Sequence, residues 1–178
     1  MLSDETSKEL RTNITSAGKL ELSIVSVPMP QPKDGEVLIR VEATPINPSD
    51  LGLLLGPADV STMTITGSGD EAVVSMDIPD AMMPAMAARV DQPLPAGNEG
   101  AGVVIAAGAG AEDMVGKTIG VAGGAMYSQY RCVPAASCLV MNEDTTPAQS
   151  ASCFVNPLTA LGMVETMKME NHTALVHT

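Results

Sequence analysis

The sequence predicts a mainly β chain that gives way near Thr145 to a helix and a short terminal strand. Three observations predict this. Apolar and polar residues alternate with period two from Glu36 to Thr44. Short apolar runs bounded by Gly and Pro recur as far as Met141. Thr146-Pro147-Ala148-Gln149 then reads as a helix start, with Thr as N-cap, Pro at the first helical position and Gln at the third.

Taken in order, Leu20, Leu22, Ile24, Val25 and Val27 mark a strand that ends at Pro28. Pro28 to Pro32 is a connector, because each proline lacks a ladder donor, and Lys33-Asp34-Gly35 turns the chain. In the Glu36–Thr44 strand, Val37, Ile39, Val41 and Ala43 share one face. Pro45 to Asp50 is a loop, and Leu51 to Leu55 a helical turn. Between Gly56 and Pro95 the pattern is weak: Val73–Ile78 reads as a strand and Ala81–Val90 as a short helix. Met82, Met83 and Met86 on that helix read as core or lid filler. The glycines between Gly97 and Ala111 bracket a strand around Val103–Ile105 instead of opening a helix. They indicate close backbone approach, not a phosphate loop. Further strands are expected at Lys117–Val121, Met126–Val133 and Ser137–Met141. The helix from Ala148 should kink or split at Pro157 and continue to about Lys168. Thr173–Thr178 reads as a lone strand with no obvious partner, a first hint that further chain is expected after Thr178.

Composition excludes several classes. The 178 residues carry 21 acidic and 9 basic side chains, a net charge of −12, with one Phe, two Tyr and no Trp. That balance argues against nucleic acid as a partner, since there is neither a basic stripe nor a stacking platform. No apolar run reaches the roughly 20 residues of a membrane helix, so no membrane association is expected. The acidic, polar start is unlike a signal peptide. Cys132, Cys138 and Cys153 are odd in number and lack CxxC spacing, which points to free, mostly buried thiols in a reducing, cytoplasmic setting. His172 and His177 read as incidental surface groups.

Four motifs in order carry a family resemblance: Pro32-x-x-Gly35-Glu36-Val37-Leu38-Ile39-Arg40-Val41, Ile46-Asn47-Pro48-Ser49-Asp50, Gly97-Asn98-Glu99-Gly100-Ala101-Gly102-Val103-Val104 and Asn156-Pro157-Leu158-Thr159-Ala160. Together they resemble the medium-chain dehydrogenase/reductase superfamily over roughly residues 18–55 and 93–178. The resemblance implies a GroES-like β-barrel catalytic domain at 1–144. Residues 145–178 would be the linking helix and first strand of a dinucleotide-binding Rossmann domain. It implies NADPH, or NADH, as the cofactor of the whole enzyme, bound mainly by that second domain; residues 1–178 alone should be inactive.

The resemblance also bears on metal. Zinc alcohol dehydrogenases have Cys where Asn47 stands, His where Asn98 stands, and Cys at the position of Val155. Catalytic zinc takes about three Cys, His or carboxylate ligands, so no metal is expected. The pattern is similar to the zinc-independent quinone and enoyl reductases. Asn47 corresponds to the polar residue near nicotinamide and substrate, Ser49 to a proton-relaying hydroxyl, Asp50 to a supporting carboxylate, Asn98 to a substrate-side group and Thr159 to a residue beside the nicotinamide. The residues themselves leave simpler readings open. Asn47–Asp50 also suits an Asx-type turn, Asn98-Glu99 suits plain loop structure, and Thr159 could bond back to a helix carbonyl. The enoyl reductases' tyrosine is replaced by Ala58, and a tyrosine frequent in quinone reductases by Gly52. Residues 58–85 read as an insertion.

The expected function is therefore the catalytic domain of a zinc-independent NAD(P)H oxidoreductase. It would reduce a small quinone or conjugated carbonyl, with a homodimer possible at full length. The competing reading is a non-enzymatic GroES-like binding or assembly module.

Overall fold

The computed structural model describes residues 6–174. In chain order these form β1 (Thr6–Ile14), β2 (Lys19–Pro28), β3 (Glu36–Ala43), α1 (Pro48–Leu54), β4 (Asp59–Thr66), β5 (Val73–Asp77), α2 (Met83–Met86), β6 (Leu94–Pro95), β7 (Gly100–Ala107), β8 (Thr118–Val121), β9 (Tyr130–Pro134), β10 (Leu139–Val140), α3 (Pro147–Ser150) and α4 (Val155–Met169). The strands make two five-stranded antiparallel sheets, β4-β5-β2-β1-β6 and β10-β8-β7-β3-β9. The segment before β9 joins them: Leu10 N–H donates to Tyr127 O, Gln129 N–H to Lys8 O, and Val41 N–H to Gln129 O. The result is the mainly β architecture that the alternation predicts.

β3 sits at the centre of the larger core. Val37 and Ile39 are fully buried with Val104, Ile119, Val121, Met126 and Val133, and Val41 packs against them. A second core joins Ile14, Leu20, Met76 and Ile78, with Met83 and Met86 packed on it. Those two methionines are core filler, while Met82 is exposed. β3 and β7 run close together at Gly102, where a Cβ would lie 2.0 Å from the Arg40 carbonyl oxygen. The strand glycines do mark close backbone approach.

Several elements differ from the expectation. β1 carries no apolar alternation because two of its buried residues, Ser7 and Thr12, are polar and lie on opposite faces. β4 is an edge strand on which only Thr62 is not exposed, so no burial pattern is written into it. The Ala81–Val90 helix is broken into α2 flanked by single 3-10 turns. Regular pairing in the Met126–Val133 strand begins only at Tyr130, because residues 127–129 bridge the sheets.

The helix start at Thr146 forms as expected: Thr146 N–H donates to Gln149 Oε1 at 2.9 Å, and Gln149 N–H to Thr146 Oγ1 at 3.3 Å. The split falls ahead of Pro157, which lies in the first turn of α4. There a missing N–H breaks no intrahelical bond, so the proline opens a helix instead of kinking one. Of the expected terminal strand, Thr173 and Ala174 are not in a strand, and 175–178, with His177, lie outside the described residues. No helix among the described residues is long and apolar enough to cross a membrane.

Candidate functional site

Three segments far apart in sequence converge at the end of β3. The first is the loop into α1. Pro48 occupies an early position of that helix and Asn47 its N-cap, with extended backbone. Asp50 is 2% exposed, and its two oxygens take separate backbone donors. Oδ2 accepts Asn47 N–H at 2.8 Å, and Oδ1 accepts Asn98 N–H at 3.0 Å. The Asp50 carboxylate therefore fastens the Asn47 loop to the segment before β7.

That second segment is Gly97-Asn98-Glu99. Gly97 has φ +96, and a Cβ there would meet Tyr127 N at 2.6 Å, so only glycine lets the chain press in. Asn98 then reaches Ser49, with Nδ2 donating to Ser49 Oγ at 2.8 Å. Glu99 is 1% exposed, and its Oε1 accepts Asn47 Nδ2 at 2.9 Å. The Asn47 side chain, also buried, thus points across to Glu99, while Asn47 and Asp50 also form the capping box of α1.

The third segment is the start of α4. Glu99 Oε2 accepts the N–H groups of Phe154 and Val155, both at 3.0 Å. Asn156 Nδ2 donates to Asn47 Oδ1 at 3.3 Å. Thr159 lies one turn further along, exposed, with Oγ1 donating to Val155 O at 2.7 Å. That is the helix-carbonyl bond its residue type allows, and a hydroxyl so engaged still has lone pairs to offer.

Tyr127 flanks the loop. Its hydroxyl donates to Pro45 O at 3.0 Å, and its pKa is pushed up to about 12, first by burial and then by the nearby Asp50 charge. Burial and the Glu99 charge also push the Cys153 thiol up. Beside the loop, a groove of about 640 Å³ is lined by Thr44, Ile46, Leu54, Met126 and Tyr127 among others.

The structure brings Asn47, Ser49, Asp50 and Asn98 into one hydrogen-bonded group and attaches α4, which carries Thr159, to it. Sequence reasoning missed the contribution of Glu99. The available signal was Phe154: a helix starting at Val155 with no Ser, Thr, Asp or Asn before it needs an acceptor from elsewhere. At the three positions that the family resemblance sets against the zinc enzymes' ligands, this chain presents Asn47, Asn98 and Val155. Both oxygens of the neighbouring Glu99 are already occupied by N–H donors. This donor set does not fit a catalytic zinc ion. Among the described residues no group of three or more His, Cys, Asp or Glu is placed to hold a metal ion.

The profile of the alcohol dehydrogenase GroES-like domain matches residues 33–144. The chain belongs to that family. A zinc-type alcohol dehydrogenase-like protein, C337.11 of Schizosaccharomyces pombe, is 62% identical over 34 residues, which are 19% of this chain and 10% of that protein. Among solved structures, a protein assigned as an NADPH:quinone reductase from Mesorhizobium loti is 25% identical with a TM-score of 0.61. That match covers 96% of this chain and 46% of the other. The quinone oxidoreductase from Coxiella burnetii, 19% identical with a TM-score of 0.62, covers 92% of this chain and 46% of its own, and shares the fold. The GroES-like chain described here thus spans under half the length of these solved relatives, and about a tenth of the curated one.

Proposed function

We propose that this GroES-like domain is the substrate-side half of a zinc-independent NADPH-dependent oxidoreductase that reduces quinones or conjugated carbonyls. The observation that carries the reading is the hydrogen-bonded group of Asn47, Ser49, Asp50, Asn98 and Glu99, which stands where the resemblance to the zinc enzymes would put metal ligands. The NADPH:quinone reductase assignment of the Mesorhizobium loti relative supports the same class.

In this reading Asn47 and Thr159 border the nicotinamide, and Asn98 lies on the substrate side. The nicotinamide, when bound, supplies a hydride. Reduction of a conjugated carbonyl builds charge on oxygen, and that charge calls for hydrogen-bond donors and a proton. Ser49 suits the task. Its Oγ accepts from Asn98 Nδ2 and so keeps its own proton to offer outward. Asp50 acts by position, holding the backbones of Asn47 and Asn98 in place. The groove beside Ile46 and Leu54, which Lys8, Glu9, Glu42 and Asp70 also line, offers apolar surface for the hydrocarbon part of a quinone or enone. Residues 1–178 alone are proposed not to bind NADPH tightly or turn over; micromolar NADPH binding in a titration calorimeter would contradict that. The setting proposed is cytoplasmic, with a homodimer at full length and 1–144 and 145–178 as the two domain pieces.

The test is NADPH oxidation by the product of the complete coding region, with a panel of quinones and enones and with chelator present. Activity should survive chelation and fall by about 10²-fold or more in Ser49→Ala, the range expected for a lost proton donor. Stoichiometric zinc in the purified protein, or activity lost to the chelator, would sink the reading.

A further inference from the structure

Glu99 has three donors around two oxygens. Phe154 and Val155 N–H hold Oε2, and Asn47 Nδ2 holds Oε1. A carboxylate only accepts, so Asn47 must turn its NH2 toward it. The orientation of that carboxamide follows from its partner's chemistry and not from its shape, in which oxygen and nitrogen look alike. Asn47 Oδ1 then points the other way and takes Asn156 Nδ2. Asn156, exposed to solvent, has no other side-chain hydrogen bond among the described residues, so its carbonyl oxygen and its second N–H face outward.

We propose that Glu99 is a positioning residue that fixes the hydrogen-bonding polarity of the site, acting through Asn47 to present the Asn156 carbonyl as an acceptor at its exposed edge. This rests on the reading of Asn47 as a site residue and adds to it the class of group the edge receives. An N–H or O–H donor on a ligand fits that oxygen. The same two Glu99 oxygens tie this polarity to the placement of α4, which has no side-chain cap of its own.

Donor and acceptor counting gives a reversal test on the 178-residue protein. In E99Q the new amide must keep its oxygen on the Phe154 and Val155 N–H groups, because only oxygen can accept them. Its NH2 then faces Asn47, whose carboxamide has to turn over. In N47D two carboxylates face each other. In the double variant N47D/E99Q the new amide donates to the new carboxylate, whose other oxygen still accepts Asn156 Nδ2. The expected result is that N47D melts well below wild type, or fails to fold, and that adding E99Q raises its melting temperature. In side-chain amide NMR spectra of E99Q, the Asn47 and Asn156 NH2 signals should both move while the backbone amides of Phe154 and Val155 stay protected from exchange. A double variant that melts at or below N47D, or Asn47 and Asn156 signals unmoved by E99Q, would overturn the proposal. Neither measurement reads oxidoreductase activity, so an inactive full-length enzyme and a failed reversal are separate results.

Discussion

Asp50 and Asn98, 48 residues apart, are joined by a partly buried bond in which the Asp50 carboxylate accepts the Asn98 backbone N–H at 3.0 Å. The other carboxylate oxygen accepts Asn47 N–H, so one side chain satisfies two backbone donors from two loops. An unsatisfied buried donor costs about 1–3 kcal/mol. Asp50→Ala strands two, and should destabilise the domain by about 2–5 kcal/mol. Asp50→Asn should recover at most half of that, because its NH2 must face one of the two N–H groups. Urea unfolding of the three proteins measures this; equal midpoints would show that water replaces the carboxylate without loss.

Gly102 sits where β7 crosses closest to β3. A Cβ there would lie 2.0 Å from Arg40 O and 2.8 Å from Arg40 C. Both are backbone atoms of a central strand and cannot step aside as a flexible side chain would. Gly102→Ala should therefore force the strands apart and cost at least the 1–3 kcal/mol typical of overpacking, read as a lower melting temperature or loss of soluble protein. Gly110→Ala is the control for a different effect. No atom lies within 4 Å of its added Cβ, and only its φ of +83 opposes the change.

How far each element could be read from sequence follows from what it buries. β3 was legible because Val37 and Ile39 alternate with polar residues and face the core. β1 was not, since its buried positions Ser7 and Thr12 are polar and fall on opposite faces of the strand, which leaves no period-two apolar pattern. In the site, Asn47, Ser49, Asp50 and Asn98 were recognisable by residue type and order. The contact of Glu99 with the start of α4 spans more than 50 residues, and its one local trace, the uncapped start at Phe154, does not say which residue supplies the acceptor. Pro157 marks a helix boundary without being the break itself: a proline is compatible with a first helical turn, so the interruption falls before it, between Ser150 and Val155.

Ala125 has φ 57, in the left-handed region, directly after Gly124, whose N–H donates to Asn98 O. An L-residue with a Cβ is disfavoured there by about 1–2 kcal/mol. Ala125→Gly removes the conflict but adds freedom to the unfolded chain. A net gain of up to about 1 kcal/mol is expected. Ala125→Val, with a branched Cβ in the same conformation, should destabilise. Melting curves of the pair should therefore fall on opposite sides of wild type, and two losses would show that the strain is relieved some other way.

The thiols make stability depend on alkaline pH. Burial pushes Cys132 and Cys138 up from 9.0 to about 11, with the Glu36 charge adding to the effect at Cys132 and Arg131 opposing it. The folded chain thus holds these protons at pH values where the unfolded chain releases them. Their contribution is complete below the unfolded value near 9 and is lost as pH rises through about 11. Tyr127, raised from 10.0 to about 12, extends the same trend upward. The melting temperature should hold from neutral pH to about pH 9 and then fall, and the fall should be shallower in Cys132→Ala/Cys138→Ala. The thiolate is the reactive form, so alkylation of the native protein by iodoacetamide at about pH 8 should run about a hundredfold slower than for a free thiol. Labelling of all three cysteines at the free-thiol rate would show that Cys132 and Cys138 are not shielded as described.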